Sequence, residues 1–231
     1  MRAPVSNRGL RIACRQAPRS RAAPFRWQLI IMAKASVAGR VKTRLAAEVG
    51  LATTLRFTRH SLAGLLQRVG GDARWSTLLA VTPDSAMPGR GWPLHVPRVA
   101  QGGGDLGQRM QRLTQSAPPG PVVIVGTDIP DITRAHIAAA FRALGRHDAV
   151  LGPAADGGYW LVGLRRRPCV LRPYAGVRWS SAHALADTLA NLRGRSVGML
   201  PILRDVDTAA DLAHCAGQWG RRVRCPASEY R

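Results

Sequence analysis

The sequence predicts an α/β fold, in which a single domain is built on a mostly parallel central sheet with helices on both faces. Short apolar runs alternate with longer helical segments, and this alternation is typical of such a sheet. The run at residues 122–125, Val-Val-Ile-Val, is apolar throughout and bounded by turn residues, as expected of a buried strand. No repeat with a period of roughly 20–50 residues is visible, and 231 residues suffice for one large domain.

The first half of the domain contains the first strands and two helices. Apolar runs predict strands at residues 28–33 and 77–82, and they allow a third at 94–99. A basic loop with one glycine follows the first strand, and residues 45–69 have the pattern of a helix. A glycine-rich loop then leads into a helix at residues 106–115.

The second half begins with the buried strand at residues 122–125. Thr133 is the predicted N-cap of the next helix, since its hydroxyl can accept a hydrogen bond from an otherwise unpaired backbone N–H. The later elements alternate in the same way, with a helix at 134–144, strands at 148–152 and 159–164, a helix at 182–192, a strand at 197–203 and a helix at 208–219.

The domain is expected to span residues 27–220, between two basic termini. Residues 1–26 carry seven arginines, three prolines and no acid, so they cannot build a core and are predicted to be disordered. This start also resembles an organelle transit peptide, and a start codon assigned too far upstream explains it equally well. Residues 221–231 form a basic tail.

The composition limits the location and the partners of the protein. No apolar stretch approaches the roughly 20 residues that span a bilayer, so no membrane partner is expected. The four cysteines lack paired metal-ligand spacing and are expected to be reduced thiols of a cytoplasmic protein.

The net charge of +21 permits binding to nucleic acid, to an anionic membrane surface or to a phosphorylated substrate. Nucleic-acid binding ranks lower, because no aromatic-basic ribbon or recognition-helix motif is present. Only Lys34 and Lys42 are lysines, which is typical of GC-rich codon usage.

The basic loop after the first strand is the candidate phosphate site. Its nucleotide-binding candidates are Lys34, Gly39, Arg40, Lys42 and Arg44. Fixed cations offset phosphate charge, and the N–H groups at the start of a helix favour anions. The loop does not have the order of a Walker A motif. A solvated basic turn is the alternative interpretation.

Asp128 follows the buried strand at the edge where ligands bind in α/β sheets. Because Mg²⁺ takes one or two carboxylates together with substrate phosphates, Asp128 is a candidate metal ligand. Thr127 beside it is a candidate for nucleotide binding. Asp131 is either part of the same site or the cap of the next helix.

Three more loops contain candidate residues. Asp156, between glycines at residues 152–160, can orient an acceptor or act as a base, although a tight turn explains this pattern equally well. Asp205 and Asp207 lie two residues apart in an extended segment and can share a metal, unless Asp207 or Thr208 caps the next helix. The loop at residues 101–110 can close over a base or substrate, with nucleotide-binding candidates Gly104 and Asp105.

Six segments together resemble a known family. They are similar, in the same order, to the glycosyltransferase-like family of uncharacterised bacterial proteins that is related to the phospholactate guanylyltransferases. That family belongs to the GT-A nucleotide-diphospho-sugar transferase superfamily. The resemblance covers roughly residues 28–215 and rests on residues 34–45, 101–110, 126–133, 152–163, 179–180 and 205–212.

The resemblance implies a GT-A (Rossmann-like) domain, a nucleotide over the first half of the sheet, and a divalent cation, Mg²⁺ or Mn²⁺. By position, Lys42 and Arg44 match the basic pair that contacts phosphates. Asp128 matches the metal-binding acid after the central strand, and Asp207 the late acid near the metal. The family usually has an acid at two positions where this chain has none, His60 and Ala155. Ala155 lies on the presumed acceptor side.

These observations predict a metal-dependent nucleotidyltransferase. A small phosphorylated or carboxylated acceptor would attack the α-phosphate of a nucleoside triphosphate and release pyrophosphate, with Lys42, Arg44 and Asp156 as catalytic candidates. One alternative is a glycosyltransferase that uses a nucleotide sugar at the same site, with Asp156 as base. Another, from a different class, is a non-enzymatic nucleic-acid-binding protein. The oligomeric state is not predicted by the sequence.

Overall fold

The protein is built on one seven-stranded sheet. The computed structural model describes residues 25–88, 92–93 and 95–219. The strands are β1 (Trp27–Lys34), β2 (Trp75–Thr82), β3 (Arg98–Ala100), β4 (Val122–Val125), β5 (Ala149–Pro153), β6 (Tyr159–Leu164) and β7 (Val197–Met199). Their order in the sheet is β3-β2-β1-β4-β6-β5-β7. Only β6 runs antiparallel to its neighbours, which confirms the prediction of a mostly parallel sheet.

Six α-helices lie within the described residues. They are α1 (Thr43–Val49), α2 (Leu51–Val69), α3 (Leu106–Ser116), α4 (Arg134–Ala143), α5 (Ala184–Asn191) and α6 (Ala209–Trp219). The prediction of one continuous helix over residues 45–69 is wrong, because Gly50 divides it into α1 and α2. Gly50 has φ 82°, which glycine adopts without the steric cost of a Cβ atom. None of these helices is both long and apolar enough to cross a membrane.

Helices cover both faces of the sheet, as predicted. On one face α2 and α4 pack on the central strands through residues such as Leu65 and Phe141. On the other face α3 packs through Met110, and α5 lies beside it. A third, smaller cluster joins α1 to the segment after β7 through Leu45 and Val206, which are fully buried. This cluster positions two of the loops that carry candidate site residues.

The last strand is shorter than the predicted range of residues 197–203. Pro201 has no backbone N–H to donate to a neighbouring strand, and β7 ends before it. Beyond the proline the chain still follows β5. The N–H of Val206 then donates to the carbonyl of Asp128 at 3.2 Å. The segment that contains Asp205 and Asp207 therefore lies beside the loop that follows β4.

Some sequence-based predictions concern residues outside the described ranges. Residues 1–24 and the basic tail at 221–231 lie outside the described residues, and so does Leu94 at the start of the third predicted strand. In the described part the third strand is β3, which begins at Arg98. The expected domain boundaries therefore remain predictions.

Replacing Thr133 by alanine is expected to lower the free energy of unfolding by about 1 kcal/mol. Thr133 is the N-cap of α4, as predicted: its Oγ1 accepts from the N–H of His136, and His136 Nδ1 accepts from the N–H of Thr133, both at 3.3 Å. Urea denaturation would measure the change, with Thr133→Ser as the matched control that keeps the hydroxyl. Equal stability of the alanine variant and the parent would contradict the capping role.

Candidate active site

A cleft of about 450 Å³ lies at the edge of the sheet where β1 and β4 end and β6 begins. Because β6 is antiparallel to β4, its first residue, Tyr159, lies at the same edge as the end of β4. The charged side chains that line the cleft are Lys34, Arg109, Asp128, Asp156 and Asp205. A smaller pocket of about 110 Å³ adjoins it and is lined in part by Lys42.

Lys42 joins two acids that are far apart in the sequence. Its Nζ lies 2.5 Å from Oδ1 of Asp207 and 3.2 Å from Oδ2 of Asp128. The lysine side chain is only 10% exposed, whereas the side chains of Asp128 and Asp207 are 54% and 42% exposed. Two candidate metal ligands and a candidate phosphate-binding lysine therefore meet at one point beside the cleft.

The backbone at Lys42 is strained. Lys42 precedes α1 with φ 45° and ψ 53°, a left-handed conformation that costs a non-glycine residue on the order of 1–3 kcal/mol. Its carbonyl accepts a hydrogen bond from the N–H of Ala46 at 2.9 Å, and the buried Leu45 anchors α1 next to it. Such strain persists only where the surrounding structure fixes it, and it is concentrated at functional sites.

Nearby charges and burial shift the pKa values of Lys42 and Asp205. Burial would lower the pKa of Lys42, but the nearby charge of Asp128 and the contact with Asp207 outweigh it, so the pKa is raised and the ammonium is retained. The pKa of Asp205 is also raised, first by burial and then by repulsion from Asp207 and Asp156. The carboxylate of Asp205 is thus close enough to those of Asp207 and Asp156 to be repelled by both.

Asp207 is available to Lys42 because Thr208 caps α6. The hydroxyl of Thr208 accepts from the N–H of Asp211 at 3.2 Å, and Oδ2 of Asp211 accepts from the N–H of Thr208 at 3.0 Å. These reciprocal bonds form a capping box. The sequence allowed either Asp207 or Thr208 as the N-cap of this helix, and Thr208 has that role in the structure.

The other residues of the predicted phosphate loop differ in their distance from the cleft. Lys34 is exposed and lines both the cleft and the adjoining pocket. Gly39 has φ 72°, a turn conformation that favours glycine. Arg40 and Arg44 are exposed and lie outside both linings. The structure therefore brings two lysines of the loop to the site and leaves its two arginines outside.

Two of the three remaining nucleotide-binding candidates make hydrogen bonds within the protein. Thr127 lines both pockets, and its carbonyl accepts from the hydroxyl of Ser61 at 2.5 Å. Asp105 is the N-cap of α3, since its Oδ1 accepts from the N–H of Gln108 at 2.7 Å. Neither Asp105 nor Gly104 lines the cleft. Their contacts with a nucleotide remain predictions.

Asp156 lies in a tight turn, as one interpretation of the sequence predicted, and its role toward an acceptor remains a prediction. Its Oδ1 accepts from the N–H of Gly158 at 2.9 Å, as in a tight turn between β5 and β6. The same side chain is exposed and lines the cleft. Asp131 lies outside the cleft lining and does not cap α4, because Thr133 does.

Sequence reasoning missed Arg109 as a site residue. Its Nε donates to the carbonyl of Gly104 at 2.8 Å, and the side chain lines the cleft together with Leu106 and Met110. Residues at i, i+3 and i+4 share one face of a helix, and this spacing is the signal that could have identified it. Trp179 also lines the cleft, although the sequence marked it only as part of the family resemblance.

Asp128 and Asp207 are the residues best placed to hold a divalent metal ion. Their oxygens already converge on one cation, the ammonium of Lys42, and hard oxygen donors suit Mg²⁺ and Mn²⁺. Across the described ranges, no group of three or more His, Cys, Asp or Glu side chains forms a metal site. The substrate would have to supply further ligands, as phosphates do for Mg²⁺. The two described cysteines, Cys169 and Cys215, are free.

Comparison with solved structures defines the class of the protein. A protein from Desulfovibrio desulfuricans G20 named as a nucleotide-diphospho-sugar transferase is 30% identical, with a TM-score of 0.79 over 90% of this chain and 93% of that one. CMP:2-keto-3-deoxy-manno-octonic acid synthetase complexed with CTP shares the fold at 13% identity and a TM-score of 0.55, over 86% of this chain and all of that one. Rv0371c from Mycobacterium tuberculosis H37Rv, in complex with manganese, shares it at 15% identity and 0.50, over 83% and 98%. The protein is a transferase with the fold of the nucleotide-diphospho-sugar transferases.

The chain belongs to the family described as "uncharacterized protein conserved in bacteria (DUF2064)", whose sequence profile matches residues 65–181. This assignment and the GT-A-like fold of the structural relatives confirm the resemblance that the sequence motifs indicated. None of the curated proteins matches the sequence significantly. The matched segment contains Asp128 and Asp156, whereas Lys42 and Asp207 lie outside it.

Proposed function

We propose that this transferase is a metal-dependent nucleotidyltransferase, which moves a nucleotidyl group from a nucleoside triphosphate to a small acceptor. The observation that carries the proposal is the contact of Lys42 with both Asp128 and Asp207 beside the cleft. It places a cation for phosphates next to two carboxylates for a metal, which is what polyphosphate chemistry requires. The CTP and the manganese in two distant relatives of the same fold support this choice of ligands.

Asp128 and Asp207 would hold the metal ion in this proposal. Their half-exposed carboxylates face a common point that a cation already occupies, so the donor set fits Mg²⁺ or Mn²⁺. A bound metal would offset negative charge on the phosphates. Lys42 would then exchange its two carboxylate partners for phosphate oxygens, and its long side chain allows this change without movement of α1.

The reaction would use charged residues of the cleft and of the adjoining pocket. Lys34, Lys42 and Arg109 would neutralise the phosphates, with Arg44 as a further candidate from outside the two pockets. An acceptor oxygen forms a bond to the α-phosphorus, the bond from that phosphorus to the bridging oxygen breaks, and pyrophosphate leaves. Asp156 would take the proton of the acceptor hydroxyl, because it lines the cleft and is exposed.

A glycosyltransferase that uses a nucleotide sugar is the second candidate. The name of the Desulfovibrio protein favours it, and Asp156 could act as its base. Release of pyrophosphate from a nucleoside triphosphate would identify the first reaction, and transfer or hydrolysis of the sugar would identify the second. Both fit the expected cytoplasmic location, where nucleotides and Mg²⁺ are available.

A thermal-shift panel of nucleoside triphosphates and nucleotide sugars, each with Mg²⁺, Mn²⁺ or chelator, would test the nucleotide site. A triphosphate at about 100 times its Kd is expected to stabilise the fold by about 2.7 kcal/mol, and only with metal present. If no nucleotide raises the melting temperature, both enzyme candidates fail. Nucleic-acid affinity that falls steeply with salt, without any nucleotide effect, would instead support the nucleic-acid-binding alternative.

A further inference from the structure

Two parts of the cleft lining differ in charge. Lys34 comes from the end of β1, and Arg109 lies on the same side, with its guanidinium 3.4 Å from the hydroxyl of Thr82 at the end of β2. A second part of the lining, called here the acceptor half, is formed by the β5–β6 turn and the loops before α5 and after β7. Its polar and aromatic side chains include Asp156, Tyr159, Trp179, Ser180, Ser181 and Asp205.

No cation among the described lining residues belongs to the acceptor half. The arginines next to it in sequence are paired elsewhere: Arg178 makes bonds of 2.9 and 2.8 Å to Asp187, and Arg204 lies 3.7 Å from Asp211. Lys42 is paired with the two candidate metal ligands. In the described part of the chain, no ion pair includes either acid of the acceptor half.

An aromatic wall accompanies these acids. The rings of Tyr159 and Trp179 meet edge to face, with centroids 6.3 Å apart and an angle of 74°. Gly107 of α3 packs directly against this wall, because a Cβ there would lie 2.7 Å from the Trp179 ring and 2.8 Å from Tyr174 Cβ. The close approach of α3 fixes the tryptophan ring, and a fixed aromatic surface packs well against the C–H face of a ligand.

We propose that the acceptor is a sugar or polyol without negative charge, held with its C–H face on Tyr159 and Trp179 and its hydroxyls toward Asp156 and Asp205. This inference rests on the proposed function, since it assigns the second substrate of the same cleft. It revises the phosphorylated or carboxylated acceptor that the sequence predicted. The two carboxylates form no ion pair in the described part of the chain, and the charge of Lys42, which is paired with two other acids, acts on Asp205 from farther away. They would repel such an anion, whereas they accept hydrogen bonds from hydroxyls.

Binding of four compounds with one scaffold and different charges tests the proposal: glucose, glucosamine, glucose 6-phosphate and glucuronate. Calorimetry on the full chain is expected to give glucose and glucosamine dissociation constants at least about tenfold lower than those of the two anions. Equal or tighter binding of either anion would overturn the proposal. So would the absence of measurable binding by both glucose and glucosamine.

Two substitutions assign the binding to the acceptor half. Asp156→Lys is expected to weaken glucosamine and strengthen glucose 6-phosphate binding, whereas the same charge change at Asp131→Lys, outside the cleft lining, should leave both unchanged. Trp179→Phe should reduce a glucose-dependent change in tryptophan fluorescence, to which Trp160 of the same lining can also contribute, while calorimetry still detects glucose. Equal effects of the two lysine substitutions would show that overall charge, and not this site, controls binding.

The nucleotide panel keeps this proposal separate from the proposed function. If nucleotides stabilise the protein but the glucose series fails, only the assignment of the acceptor is overturned. If no nucleotide binds, the nucleotidyltransferase proposal fails, and selective binding of uncharged sugar would still show the ligand class of this half.

Discussion

Replacing Asp128 by asparagine is expected to lower turnover about 10²–10³-fold and to abolish the metal-dependent stabilisation by a nucleotide. The substitution keeps the size of the side chain and removes the charge that would hold the metal. It also removes one of the two carboxylates that contact the ammonium of Lys42. Pyrophosphate release and the thermal shift with Mg²⁺ or Mn²⁺ would measure the two effects.

Asp131 provides a matched control three residues further along the same loop. It lies outside the cleft lining, and Thr133 performs the capping role that the sequence allowed for it. Asp131→Asn is therefore expected to leave turnover and the nucleotide shift within twofold of the parent, because the half-buried Asp131 caps no helix and forms no ion pair in the described part of the chain. Substitutions away from such features have small effects, about 0.5 kcal/mol. A nucleotide shift that survives in Asp128→Asn would remove Asp128 from the metal site.

Replacing Lys42 by methionine is expected to change two measurements in opposite directions. Turnover should fall about 100-fold, because a cation that would stabilise the phosphates is lost. Binding of Mn²⁺ in the absence of nucleotide should become tighter, because the ammonium that competes for Asp128 and Asp207 is no longer between them. Pyrophosphate release and titration of free Mn²⁺ by electron paramagnetic resonance would measure these effects.

Arg59→Met is the control for the loss of one positive charge. Arg59 is exposed on α2 and takes no part in the lining of either pocket. The control should change neither measurement. If Lys42→Met bound Mn²⁺ more weakly than the parent, the carboxylates would need the lysine to hold them in place, and the proposed exchange of Lys42 between acids and phosphates would be wrong.

Much of the fold could be predicted because its signals are local. The runs at 122–125 and 159–164 coincide with β4 and β6, since continuous apolar residues between turn residues mark buried strands. The points where a helix is interrupted are harder to predict from the sequence. Gly50 interrupts a helical pattern that continues on both sides, and its left-handed φ is a property of the backbone that composition does not reveal.

The candidate site could be predicted only in part, because its contacts are long-range. Strand ends identified Asp128, but the contact of Lys42 with Asp207 spans 165 positions. Which cations of the loop reach the site depends on the packing of α1, so the sequence did not separate Arg44 from Lys42. The absence of a lining cation from the described acceptor half likewise depends on the positions of Arg178 and Arg204, whose partners lie on α5 and α6.

The reversed direction of β6 has a consequence for how this family can diversify. Because β6 runs against β4 and β5, it is joined to β5 by a short turn at the cleft instead of by a crossover helix. Exposed turns tolerate insertions and changes of sequence that buried strands do not. Under the proposed function, changes in this one turn would alter the acceptor, while the loops after β1 and β4 would keep the nucleotide chemistry constant.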